Sequence, residues 1–173
     1  MSQFFQIHPD NPQARLVRQA GDIVRAGGVI VYPTDSAYAI GCRIGDKNAV
    51  ERIRQIRRLD DRHNFTLVCR DLSEIATYAR VDNTVYRLLR HHTPGPYTFI
   101  LKATSEVPRR LMHPKRRTVG LRVPENAVAQ ALGRVPALKS RNFQKEMDAA
   151  HDKLAQLAEL LDAPPPPPFH RDR

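Results

Sequence analysis

Cysteine is scarce in this chain: Cys42 and Cys69 are the only two, and each sits inside an apolar run. That excludes a disulfide-stapled scaffold and leaves two buried free thiols in a reducing compartment as the economical reading. No apolar stretch approaches the ~20 residues needed to span a bilayer. The opening residues, Met1 to Gln13, lack a basic start followed by an apolar core, so no signal peptide is expected. The seven histidines show no metal-ligand spacing with cysteine or acid, and no metal cage is expected. Gly27-Gly28 lacks the Gly-Lys-Ser/Thr of a phosphate-binding P-loop. These absences together describe a soluble cytoplasmic protein without a membrane partner.

Acidic residues are also in deficit. Eighteen face 28 lysines and arginines, giving a formal net charge of +10 in 173 residues. A field of that sign attracts polyanions such as nucleic acid or nucleotide phosphates, although a merely solubilising surface produces the same balance. The length suits one domain with a real core.

Helical and strand signals alternate along the chain. Asn11 is placed to cap a helix with Pro12 at its first position; Leu16, Val17, Ala20, Ile23 and Val24 recur at helical spacing until Gly27-Gly28. Val29 to Tyr32 reads as a short buried strand, Pro33 to Ser36 as a turn, and Tyr38 to Ile44 as a second strand. Asp46 is positioned to cap a helix whose apolar face is Val50, Ile53 and Ile56. Phe65 to Cys69 is strand-like. Helices are expected from Ser73 and from Asp82, the latter carrying Val85, Leu88 and Leu89. Tyr97 to Lys102 and Thr118 to Val123 read as further strands. The alternation argues for an α/β domain with an open, largely covered sheet.

The last forty residues change character. Phe143, Met147, Ala150, Leu154, Leu157 and Leu161 make an amphipathic stripe of roughly three heptads, short for a coiled coil. Pro164 to Pro168 then forces an extended segment before a polar end. The expected domains are therefore 12–132, a helical tail at 133–162 and a proline-rich end at 163–173.

Several residues offer chemistry. Thr34, Ser36 and Tyr38 bring hydroxyls to the end of a strand, where open α/β sheets bind ligands, and where a plain turn would look the same. Pro94-Gly95-Pro96-Tyr97-Thr98 permits close backbone approach at Gly95 and offers the Thr98 hydroxyl, or is an ordinary turn. Arg122 interrupts an apolar strand on the same face as Gly120, suiting either a rim position or a bidentate carboxylate clamp. Arg109, Arg110, Lys115, Arg116 and Arg117 place five positive charges within ten residues, a solvated face or a phosphate-tracking surface. That run lacks interleaved aromatics, so stacking on single strands is not indicated.

Three ordered motifs carry a family resemblance: Gly-Gly-Val-Ile-Val-Tyr-Pro-Thr-Asp-Ser-Ala-Tyr, Pro-Gly-Pro-Tyr-Thr-Phe-Ile-Leu-Lys and Val-Gly-Leu-Arg-Val-Pro. Over residues 12–132 the chain resembles the YrdC/YciO family, and Arg62-His63-Asn64-Phe65-Thr66-Leu67 resembles its YciO branch. The resemblance implies a twisted open α/β sheet with a basic concave face, linked to nucleotide and double-stranded RNA binding. It also implies a relation to the threonylcarbamoyl-AMP synthases of transfer-RNA modification. These join L-threonine, bicarbonate and ATP and release pyrophosphate; ATP is thus a substrate, with magnesium as its expected companion. By the same resemblance Thr34 and Tyr38 line a threonine pocket, Arg122 holds the carboxylate and Thr98 faces the nucleotide. Arg57 and Arg58 stand nearest the nucleotide phosphates.

The departures matter as much. Where synthases carry a Lys-x-Arg pair, this chain reads Arg57-Arg58-Leu59, with Arg58 or Arg62 as substitutes for the lost cation. A missing charged hydrogen bond to phosphate costs roughly 1.5–3 kcal/mol. Cys69 stands for a histidine, Ser36 for a threonine and Ala39 for a glycine. Ser140-Arg141-Asn142 lies near the place of the family's Ser-x-Asn motif, or belongs to an unrelated tail. The resulting expectation is a YciO-like protein that binds nucleotide and RNA with reduced or absent synthase activity. Two other readings remain: a nonenzymatic double-stranded RNA-binding protein, and a tail helix acting as an oligomerisation element.

Overall fold

The computed structural model describes residues 2–60 and 63–135. The helical tail, the proline run, and Arg62, Ser140 and Asn142 lie outside the described residues. The elements run α1 (Ala14–Arg25), β1 (Ile30–Pro33), β2 (Tyr38–Gly41), α2 (Lys47–Arg57), β3 (Thr66–Val68), α3 (Leu72–Tyr78), α4 (Asn83–His92), β4 (Phe99–Lys102), β5 (Thr118–Arg122) and α5 (Ala127–Gly133). The architecture is mixed α/β, as expected. No helix among the described residues is long and apolar enough to cross a membrane.

Local chemistry explains most boundaries. Asp46, Asp71, Asp82 and Asn126 each accept a hydrogen bond from the third amide beyond them, at 2.8–3.0 Å, and start α2, α3, α4 and α5. Helix α1 ends in a Schellman motif: the Gly28 amide donates to the Ile23 carbonyl at 2.8 Å and Gly27 to Val24 at 3.0 Å. Gly27 adopts φ +85°, the left-handed conformation this exit requires.

The start of α1 differs from the expected one. Asn11 does not cap it; Gln13 occupies that place without a side-chain bond to the helix. The reason is a local knot around His8, whose Nδ1 accepts from the amides of Asp10 and Asn11. The Gln13 side chain accepts from the His8 amide, so these polar groups are spent on the approach to the helix.

Two sheets form instead of one. β1 and β2 make an antiparallel hairpin in register Ile30–Gly41 to Pro33–Tyr38. Strand β5 lies between β3, parallel to it, and β4, antiparallel to it. The buried-strand reading of Val29–Tyr32 is thereby corrected: Tyr32 is buried but Val31 is 65% exposed, because a two-stranded hairpin has only one covered face.

Each sheet has its own core. Leu67, Cys69, Ile75, Tyr78, Leu89, Val119 and Leu121 pack between β3–β5 and helices α2–α4. Val17, Ala20, Tyr32, Val128, Leu132 and Val135 form a second cluster where α1, α5 and the hairpin meet. That cluster carries the folded part past residue 132, since α5 continues to Gly133 and Val135 is buried. Ile56 and Leu88, expected in the core, are 49% and 50% exposed at the margins of α2 and α4.

Candidate functional site

A cleft of about 430 Å³ opens between the two sheets. The register of β3–β5 explains its floor. Thr66 and Gly120 are paired, as are Val68 and Arg122, so period-two alternation puts all four on one face. A Cβ on Gly120 would lie 3.0 Å from Thr66 Oγ1 and 3.3 Å from Thr98 Cγ2; glycine keeps this floor low. The opposite wall is the hairpin, with Tyr32, Thr34 and Tyr38.

Arg122 joins the walls. Its Nη2 donates to Ser36 Oγ at 2.8 Å and to the Asp35 carboxylate, 87 residues away in sequence. The Arg122 and Asp35 side chains are only 17% and 11% exposed, although the turn's backbone lies open. Arg122 Nε is buried and has no partner. The turn is braced internally. Thr34 Oγ1 donates to the Ala37 carbonyl at 2.6 Å and accepts from the amides of Ser36 and Ala37 at 3.3 and 3.2 Å. With its donor and lone pairs engaged, the Thr34 hydroxyl organises the turn before it meets any ligand.

Burial sets the titration of the groups beneath. Burial pushes the Tyr32 hydroxyl up to about 12, against the opposing pull of Arg122. Burial likewise raises the Cys42 thiol to about 11, helped by Asp46 and opposed by Arg110. Cys69, fully buried, is pushed up by desolvation and then by Glu74 and Asp71. At neutral pH these three line or underlie the cleft as uncharged groups.

Thr34, Tyr38, Arg57, Thr98 and Arg122, separated in sequence, all line this cleft. Arg57 reaches it from the last turn of α2. Arg58 does not line it; it closes α2 in a left-handed conformation, φ +51°. Arg109, Arg110, Lys115, Arg116 and Arg117 lie outside the lining. Arg109 and Arg110 belong to a short 3-10 helix, Arg109–Leu111, and Arg110 Nη2 is engaged by the Gly45 carbonyl. Lys102 Nζ donates to the Arg116 carbonyl at 3.1 Å, and Arg117 takes φ +51° before β5. Sequence reasoning missed Asp35 as the partner of Arg122, and missed α5, whose Ala129, Leu132 and Gly133 close one side of the cleft. Asn126 followed by an alanine-rich stretch was the available signal for α5.

The geometry has known counterparts. The Sua5/YciO/YrdC family model, described as telomere recombination, matches residues 22–146. The chain is 69% identical over 132 residues to the uncharacterized protein YciO of Escherichia coli strain K12, covering 76% of this chain and 64% of that protein. It is 33% identical over 127 residues to a threonylcarbamoyl-AMP synthase of Chromobacterium violaceum, covering 73% of this chain and 65% of that one. The crystal structure of E. coli YciO superposes with a TM-score of 0.74 at 67% identity, covering 80% of this chain and 66% of that chain. P. abyssi Sua5, solved in complex with L-threonine, shares the fold at 24% identity, with a TM-score of 0.65 and coverage of 70% and 36%. The chain thus spans just under two thirds, 64–65%, of the curated relatives it matches here. On these matches the chain belongs to the Sua5/YciO/YrdC family, related to the threonylcarbamoyl-AMP synthases.

Proposed function

We propose that the cleft binds a nucleotide beside a small amino-acid-derived carboxylate, with threonylcarbamoyl-AMP synthase-type chemistry running at a reduced rate. The observation that carries this reading is Arg122: a guanidinium on the cleft floor, oriented by Asp35 and Ser36, with its buried Nε unpartnered. A buried cationic donor without an acceptor is stabilised by an anionic oxygen, and a carboxylate matches the planar fork. Arg57, exposed, supplies a second cation to the cleft lining, and Thr98 a hydroxyl.

In the reaction proposed, the threonine nitrogen bonds to the carbon of bicarbonate, a C–O bond breaks, and water leaves to give the carbamate. The carbamate oxygen then attacks the α-phosphate of ATP, and pyrophosphate leaves. The protein's share is to hold two anions together and offset the charge that develops on phosphate. Among the described residues Arg57 is the one counterpart of the two-cation pair to line the cleft, and on that ground the stabilisation is weaker than in a synthase. No carboxylate lines the cleft among the described residues, so magnesium would be carried by the nucleotide's phosphate oxygens. Calorimetric titration with ATP and L-threonine at low salt is expected to show binding of both. Pyrophosphate release dependent on threonine and bicarbonate is expected to be measurable but slow. Absence of binding rejects the ligand assignment, and full turnover rejects the reduced rate.

A second reading is supported by the exposed cations Arg109, Lys115, Arg116 and Arg117, away from the cleft. They suit the phosphates of a double-stranded RNA, read by shape without base contacts. Duplex binding that weakens steeply with salt, and further on replacing Lys115, Arg116 and Arg117 by Gln, is the expected result. Salt-independent binding excludes it.

A further inference from the structure

More hydroxyls line the cleft than the proposed chemistry uses, and their hydrogen bonds sort them. Thr34 spends its donor on the Ala37 carbonyl at 2.6 Å, and Ser36 Oγ accepts from Arg122 at 2.8 Å. Thr66, on β3, lines the cleft as well, and its hydroxyl makes no hydrogen bond among the described residues. A threonine exposed on a strand is ordinary in itself, because β-branched residues favour strands. Its direction is what sets Thr66 apart. Around the place where a Cβ on Gly120 would stand, Thr66 Oγ1 is the nearest atom, 3.0 Å away. Thr98 turns its methyl carbon Cγ2 to the same place, at 3.3 Å. The Thr66 hydroxyl thus leans from β3 over the glycine of the central strand, and a methyl meets it from the β4 side. Arg122, two residues beyond Gly120, stands on the same face about 7 Å further along the strand.

We propose that Thr66 is a further ligand-binding residue of the cleft, donating a hydrogen bond to an anionic oxygen, carboxylate or phosphoryl, of the molecule bound beside Arg122. The lining holds Arg43, Arg57 and Arg122 and, among the described residues, no carboxylate. A molecule drawn into such a lining brings acceptors, and a hydroxyl with an uncommitted proton completes their shell through a charge-assisted bond. Gly120 keeps this arrangement open, since a side chain there would press on the oxygen that donates. The assignment rests on the cleft being a ligand site and adds one contact to it.

The test is calorimetric titration of the full chain at low salt with L-threonine and, separately, with ATP. The unsubstituted chain is compared with Thr66→Val, which keeps the shape and strand preference without the hydroxyl, and with Thr66→Ser, which keeps the hydroxyl. Thr66→Val is expected to weaken at least one ligand about tenfold, and Thr66→Ser to stay within about threefold of the parent. A loss for L-threonine names a carboxylate oxygen as the acceptor; a loss for ATP names a phosphoryl oxygen. Parent-like affinity of Thr66→Val for both ligands overturns the assignment and leaves the cleft standing as a ligand site. Equal losses in the two variants also overturn it, by tracing the effect to packing and not to the hydroxyl. If the unsubstituted chain binds neither ligand, the ligand site itself is rejected and Thr66 with it. Thermal melts followed by circular dichroism verify that each variant keeps the fold.

Discussion

At the scale of single residues, the site rests on one arginine that has two duties. Arg122 neutralises Asp35 and braces Ser36, and it also lines the cleft, with a buried Nε that has no partner. Removing it leaves a poorly exposed carboxylate without its counter-charge. Arg122→Ala is therefore expected to cost about 3 kcal/mol of unfolding free energy by urea denaturation. Adding Asp35→Asn should recover part of that loss, because the stranded charge is gone, while ligand binding stays abolished. A double variant no more stable than Arg122→Ala would mean that the pair is not coupled in this way. The Cys42 thiol supplies a second test. Raised from 9.0 to about 11, it should alkylate half-maximally near pH 11 in the folded protein and near pH 9 once unfolded. Cys69, fully buried, should react only through unfolding.

At the scale of elements, what was legible in the sequence was what short-range chemistry controls. Asp46 caps the helix it was expected to cap, the helix expected from Asp82 starts there, and Gly27-Gly28 ends α1 through bonds within six residues. Asn11 misled because the approach to α1 turns around His8, whose Nδ1 accepts from the Asn11 backbone amide, and the helix starts later, with Gln13 at its N-cap. The division into two sheets was not legible, since pairing partners are set by contacts far apart in sequence. The same applies to Asp35, whose tie to Arg122 has no local signature. The five residues lining the cleft were found through family motifs and polar turn chemistry, not through periodicity. Arg58 shows how an element can reassign a residue. In its left-handed position, φ +51°, a side chain is strained, so Arg58→Gly should raise stability by about 0.5–1 kcal/mol. Because Arg58 does not line the cleft, nucleotide affinity should be unchanged; a loss of affinity without a gain in stability would restore it to the phosphate site. Gly28→Ala should act in the opposite direction. Its Cβ would stand 2.7 Å from the Ile23 carbonyl oxygen, and a cost of about 1–3 kcal/mol in thermal or urea unfolding is expected.

At the scale of the molecule, two small cores lie on either side of the cleft, and titratable groups sit buried on both sides of it. Tyr32 belongs to the hairpin core, while Cys42 and Cys69 pack with the larger one. All three have folded-state values above their unfolded ones. The sign of the linkage follows. Below pH 9 each group keeps its proton in both states and its contribution is fully present. As pH rises, the unfolded chain releases protons first, from cysteine near 9.0 and from tyrosine near 10.0, while the fold retains them to about 11 at Cys42 and about 12 at Tyr32. The folded state then binds more protons than the unfolded state, so stability must fall with pH. The melting temperature is therefore expected to be level from neutrality to about pH 9 and to decline steadily above it. Tyr32→Phe removes the tyrosine part: it should flatten the decline above pH 10, by up to ~1.4 kcal/mol per pH unit, and leave the segment between 9 and 10 intact. A decline that survives this substitution unchanged would place its origin in groups outside the hairpin core, since Tyr32 is the one buried phenol that faces the cleft among the described residues.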